Sequence, residues 1–83
     1  MEERLNELLK EMVNGYGVVI DSISYEREGG INYLRIALDR EEIIPLDLIV
    51  EVTKAINPVL DSADLIAEEY TLDVYAKPKG EVK

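Results

Sequence analysis

The 83-residue chain has no cysteine, no histidine, no tryptophan and no phenylalanine. The first two absences each remove a class of function. Without cysteine there is no disulfide and no thiolate metal site, so the core must hold by packing alone. Without histidine the usual general base and the commonest metal ligand are missing. Without either residue the familiar nucleophile–base pairs cannot be assembled. Long apolar runs are lacking too, since no stretch approaches the ~20 residues needed to span a bilayer. Met1-Glu-Glu-Arg4 opens an acidic amphipathic stretch, not a basic segment leading into an apolar run. That start predicts no secretory signal and a soluble cytoplasmic protein.

What is present fits one small folded domain. Hydrophobic residues make up 47% and charged residues 33%, too apolar a balance for a disordered chain. Eighteen acidic against nine basic side chains give a net charge of −9. The last seven residues hold three lysines against one glutamate, so residues 1–76 carry −11. Such a body is repelled by phosphate backbones and anionic lipid, which argues against direct DNA binding or a membrane partner. It suits a basic protein partner.

Spacing predicts the elements. Leu5, Leu8, Leu9, Met12 and Val13 form one apolar helical stripe, with Asn14-Gly15 as the stop and Gly15 suited to a left-handed conformation. Val18 to Tyr25 reads as a strand whose alternation is imperfect. Val18 and Ile20 suggest one face and Ile23 and Tyr25 the other, as a bulge or two covered faces would produce. Glu26 to Gly30 reads as a hairpin turn. Tyr33 to Asp39 alternates cleanly, with Leu34, Ile36 and Leu38 inward and Tyr33, Arg35 and Ala37 outward. Pro45 suits the first turn of a second helix with Leu46, Ile49, Val50, Thr53, Ile56 and Leu60 on its stripe, widened by Val52 and Val59. Pro58 is expected to kink that helix or end it early. Asp61 to Glu69 reads as an acidic connection and Tyr70 to Ala76 as a third strand.

The predicted class is therefore α+β: helix, strand, strand, helix, strand, with a three-stranded sheet and both helices on one face. Residues 1–76 form the domain and 77–83 a disordered tail. The third strand should run in the same direction as the second. Pairing it beside the first would give the order 2-1-3, with all neighbours antiparallel.

The chemistry on offer is that of carboxylates. Asp39, Glu41 and Glu42 form one acidic group, and Asp61, Asp64, Glu68 and Glu69 another. Neither has the spacing of a calcium loop, and the phosphate-loop, dinucleotide and zinc patterns are absent, so no metal and no cofactor is expected. Ser22 and Ser24 lie on a strand without a base. No basic patch is interleaved with aromatics for RNA. An enzyme is not expected. The two acidic groups are the candidate partner-binding residues.

The chain also resembles a known family. Gly17-Val-Val-Ile-Asp-Ser-Ile-Ser-Tyr25, then Glu28-Gly29-Gly30, then Tyr33-Leu-Arg-Ile-Ala-Leu-Asp39 are similar to the first hairpin of RimP proteins. Ile44-Pro-Leu-Asp47 looks like that family's helix start, and Val52-Thr-Lys-Ala-Ile56 and Val59-Leu-Asp61 look like the helix that follows. Tyr70-Thr-Leu-Asp-Val74 resembles its Tyr-Thr-Leu-Glu-Val, the most specific piece. The likeness runs from about residue 5 to 74 with spacing kept. Where the family continues Ser-Ser-Pro-Gly, this chain has Tyr75-Ala-Lys-Pro-Lys-Gly80, and the family's carboxy-terminal β-barrel has no counterpart in these residues.

The resemblance implies a non-enzymatic factor for maturation of the small (30S) ribosomal subunit, without catalytic residues or cofactor. It implies binding to the immature subunit, through a basic ribosomal protein near the decoding centre; the chain itself is expected to be a monomer. The alternative is a self-associating or protein-interaction module that uses a sheet edge.

Overall fold

Three residues at i, i+4 and i+8 anchor each helix, and the sheet supplies what they bury against. The computed structural model describes residues 2–63, 66 and 68–78. Its elements are α1 (Glu2–Asn14), β1 (Val19–Glu28), β2 (Ile31–Asp39), α2 (Leu46–Ala63) and β3 (Thr71–Ala76), in the predicted order. Leu5, Leu9 and Val13 of α1 and Val52, Ile56 and Leu60 of α2 pack with Leu34, Ile36 and Leu38 of β2 in one core. Both helices therefore cover one face of the sheet. The other face is uncovered among the described residues.

The first helix ends at Asn14, as expected, but not by a left-handed Gly15. The chain unwinds through tighter i→i−3 bonds, from the Tyr16 N–H to the Val13 carbonyl and from the Gly17 N–H to the Asn14 carbonyl, each 2.9 Å. The left-handed residue is Gly17, at φ 84°.

The imperfect alternation of β1 has its cause in a bulge. Ile20 pairs with Leu38 and Ser22 with Ala37, so Asp21 is an extra residue without a partner opposite. It shifts the phase by one, and Ile20, Ile23 and Tyr25 all pack against the core. The turn is tighter than predicted, because Glu26, Arg27 and Glu28 belong to the strand and only Gly29-Gly30 turns. Their φ values of 55° and 82° suit the type I′ turn that two-residue hairpins favour.

Two further expectations are corrected. The sheet order is β1-β2-β3, not 2-1-3: β3 lies parallel beside β2, in register from Tyr33 opposite Thr71 to Leu38 opposite Ala76. A strand–helix–strand unit tends to return next to its first strand, and β2 has the apolar run a central strand needs. Nor does α2 end early at Pro58; it continues to Ala63. Proline in a helix interior costs ~3 kcal/mol. Here Val59 and Leu60 pack on the core and hold the last turn. Within α2 the buried stripe is narrower than predicted, and Leu46 (73% exposed) and Val50 (43%) lie off it. At 100° per residue Val50 sits roughly 120° round the helix from Ile56, off the stripe that packs on the core.

Candidate interaction surface

The two predicted acidic groups lie at opposite ends of β2, whose nine residues span roughly 27–30 Å at ~3.3 Å each. At the far end Asp39 closes the strand, and its Oδ1 accepts the Arg40 N–H at 2.8 Å. The Arg40 guanidinium donates to the Ile43 carbonyl at 2.7 Å and stands 3.9 Å from Glu42. Ile44 is buried and pins this loop to the core. Asp39 is thus half-buried and structural, while Glu41 and Glu42 are exposed.

At the hairpin end, Asp61 closes a stripe of α2, and Glu68 and Glu69 precede β3. The three share a concavity of about 440 Å³ with Asn57, Tyr70 and Leu72. Asp64 lies outside the described residues. The Asn32 amide donates to Glu68 Oε1 at 3.3 Å and to the Glu69 carbonyl at 3.0 Å, which fastens this connection to the start of β2. The Tyr25 hydroxyl adds a longer bond to Glu68, 3.4 Å. Burial raises the pKa of the Tyr70 hydroxyl, and the nearby Asp61 carboxylate raises it further. Tyr25 is raised by desolvation and then by Glu68.

The uncovered face of the sheet holds a third cluster that the sequence reading did not assemble. Arg35, at the centre of β2, donates to Glu26 at 2.7 Å and to both Glu28 oxygens at 3.0 and 3.2 Å. Its Nε stands 3.5 Å from Asp73 on β3. The guanidinium also lies 4.6 Å from the centre of the Tyr33 ring, in cation–π range. One cation thus braces all three strands. Hydrogen bonding to Arg35, and then its charge, hold the Glu28 carboxyl below the ordinary range. The sequence signal was there, in an outward Arg35 with acidic residues at outward positions. A β3 placed beside β1 would have put Asp73 out of its reach.

No group of three or more acidic, His or Cys side chains among the described residues could hold a metal ion. No helix there is long and apolar enough to cross a membrane. Fold and surface together define a small α+β domain with an internally braced sheet face and acidic, exposed shoulders. A sequence model of the RimP N-terminal domain matches residues 8–76. The chain belongs to that family, which is one of ribosome maturation factors.

Proposed function

We propose that this chain is a non-enzymatic assembly module for the small ribosomal subunit, acting in the cytoplasm by binding the immature 30S particle. The single observation that carries the reading is the family match over residues 8–76. Net charge refines it. A body at −9 is repelled by the RNA that dominates the particle, so a basic ribosomal protein is the better partner, one near the decoding centre as the family likeness implies. Glu41 and Glu42 on one shoulder, and Asp61, Glu68 and Glu69 on the other, are the carboxylates such a partner would meet. Asp39 supports its loop from beneath.

Self-association through a sheet edge is the competing reading. It brings two acidic bodies together, and like-charge contact opposes it. Pelleting the purified chain with immature and with mature small subunits tests the proposal. The expected result is co-sedimentation with the immature particle, weakened by added salt. A chain that stays in the supernatant with both particles contradicts it.

A further inference from the structure

The open edge of β3 and the flank of α2 above it form one groove. Among the described residues nothing pairs with β3 except β2. The Lys77 N–H donates to the Leu38 carbonyl at 2.7 Å and so continues the ladder toward β2. Backbone groups alternate sides along a strand. Thr71, Asp73 and Tyr75 therefore turn theirs to β2, and Leu72, Val74 and Ala76 present theirs at the open edge.

The wall of the groove follows from helix geometry. Leu46, Val50, Asn57 and Asp61 are spaced by four, seven and four residues, which places them on one stripe of α2. Asn57 and Asp61 line the concavity shared with Leu72, so this stripe faces the β3 side. The α1 side of α2 is marked instead by Pro58, Val59 and Ser62, which line a hollow with Leu8. The inward side chains of β3 agree: Leu72 and Val74 are only half-buried, whereas Leu34, Ile36 and Leu38 of β2 are fully buried. The groove is apolar at one end, where Leu46 and Val50 are exposed, and acidic at the other.

We propose that an extended basic segment of a partner protein adds to β3 as a fourth strand, in the groove below α2. The inference rests on the assembly reading and supplies its mode of contact. Strand addition would draw affinity from main-chain bonds and specificity from pockets for alternate side chains. Alternate apolar side chains of the segment would meet Leu46 and Val50, and a lysine or arginine would meet Asp61 and Glu69. Neither carboxylate has a cation partner among the described residues. Charge names the occupant: a second copy of this chain would bring net −9 to an acidic groove, while a basic segment is attracted to it.

The test uses the whole chain and a labelled ten-residue strand peptide, made in both half orders, whose alternate α2-facing positions carry valine in one half and lysine in the other with threonine between, beside a copy with glutamate for lysine and a proline-interrupted copy. Only the uninterrupted basic peptide should bind, and it should slow hydrogen exchange at the Leu72, Val74 and Ala76 amides. Leu46→Ser with Val50→Ser should weaken binding at least tenfold, and Asp61→Asn with Glu69→Gln should weaken it and flatten its salt dependence. Both pairs are exposed, so an unchanged melting temperature shows that the fold survives. Equal binding of the proline-interrupted peptide, or no protection at these three amides, overturns the proposal. Protection that grows with protein concentration and needs no peptide assigns the edge to a second copy and overturns it as well. Pelleting with immature subunits separates the two readings. If the groove variants pellet like the parent, strand addition fails and the assembly reading stands; if the parent does not pellet, the assembly reading fails and the peptide result decides the groove alone.

Discussion

The two edges of the sheet are built differently. β1 is ten residues long, interrupted by a bulge at Asp21, and carries Glu26, Arg27 and Glu28. Bulges and charges of this kind discourage further pairing. Asp21 also receives the Lys77 ammonium at 3.2 Å from the opposite side of the sheet. β3 is six residues long, has no bulge, and its inward side chains are half-covered. One edge is blunted against pairing, and among the described residues the other is not. A three-stranded sheet must manage two edges, and only β1 carries the devices that discourage further pairing.

Both edges hang from β2, so the largest effect should come from its core. Leu34→Ala, or Ile56→Ala in the helix above it, removes a fully buried side chain and should cost roughly 2–5 kcal/mol. Urea denaturation measures this. A loss under about 0.5 kcal/mol at both sites would mean that β2 is not the shared support of the two edges.

The next effect separates the edges. Gly30 sits at φ 82°, where a side chain with a β-carbon costs about 1–2 kcal/mol. Gly30→Val should loosen the hairpin that holds β1 while leaving the β2–β3 ladder intact. Hydrogen exchange should then rise in β1 before β3. A uniform rise would mean that the sheet opens as one unit.

How much of this was legible in the sequence depends on how local each signal is. The alternation of Leu34, Ile36 and Leu38 and the Gly29-Gly30 pair identify the hairpin, because both act within a few residues. The bulge left its trace as the broken phase between Ile20 and Ile23. The position of β3 was not legible in the same way, since pairing is settled by where α2 returns the chain. Composition did hold a hint: β1 carries the polar and charged residues of an edge strand, and β2 has the fully buried run of a central one. The acidic groups were legible as residues but not as geometry. Asp39 turned out to support a loop, while Asp61, Glu68 and Glu69 share a concavity only because Pro58 does not stop α2. The Arg35 brace depends on the true strand order and could be assembled only with it.

The smallest effects are electrostatic, and pH separates them. The folded-state pKa of Glu28 is depressed, so its contribution to stability is complete above the unfolded value, ~4.3, and is lost as pH falls through the lower folded one. Arg35→Met should lower the melting temperature near neutral pH and flatten this acid limb. The folded-state pKa of Tyr70, beside the β3 edge, is raised. Its contribution is present below the unfolded value of ~10 and is lost as pH rises through the folded one. Tyr70→Phe should flatten the alkaline limb and leave the acid limb alone. Thermal unfolding across pH reads both. An acid limb unchanged by Arg35→Met would mean that the three-strand brace contributes nothing.

The proposed encounter of this acidic domain with a basic protein partner on the immature small subunit is read by stopped-flow association at two ionic strengths. Glu41→Lys with Glu42→Lys reverses two exposed charges on a loop that Ile44 keeps in place. Exposed charges at the rim of an interface act mainly on association rate and are screened over roughly 8–10 Å at physiological salt. The reversed protein should associate more slowly than the parent at low salt, with the gap closing as salt rises. Equal association rates at low salt would contradict that expectation.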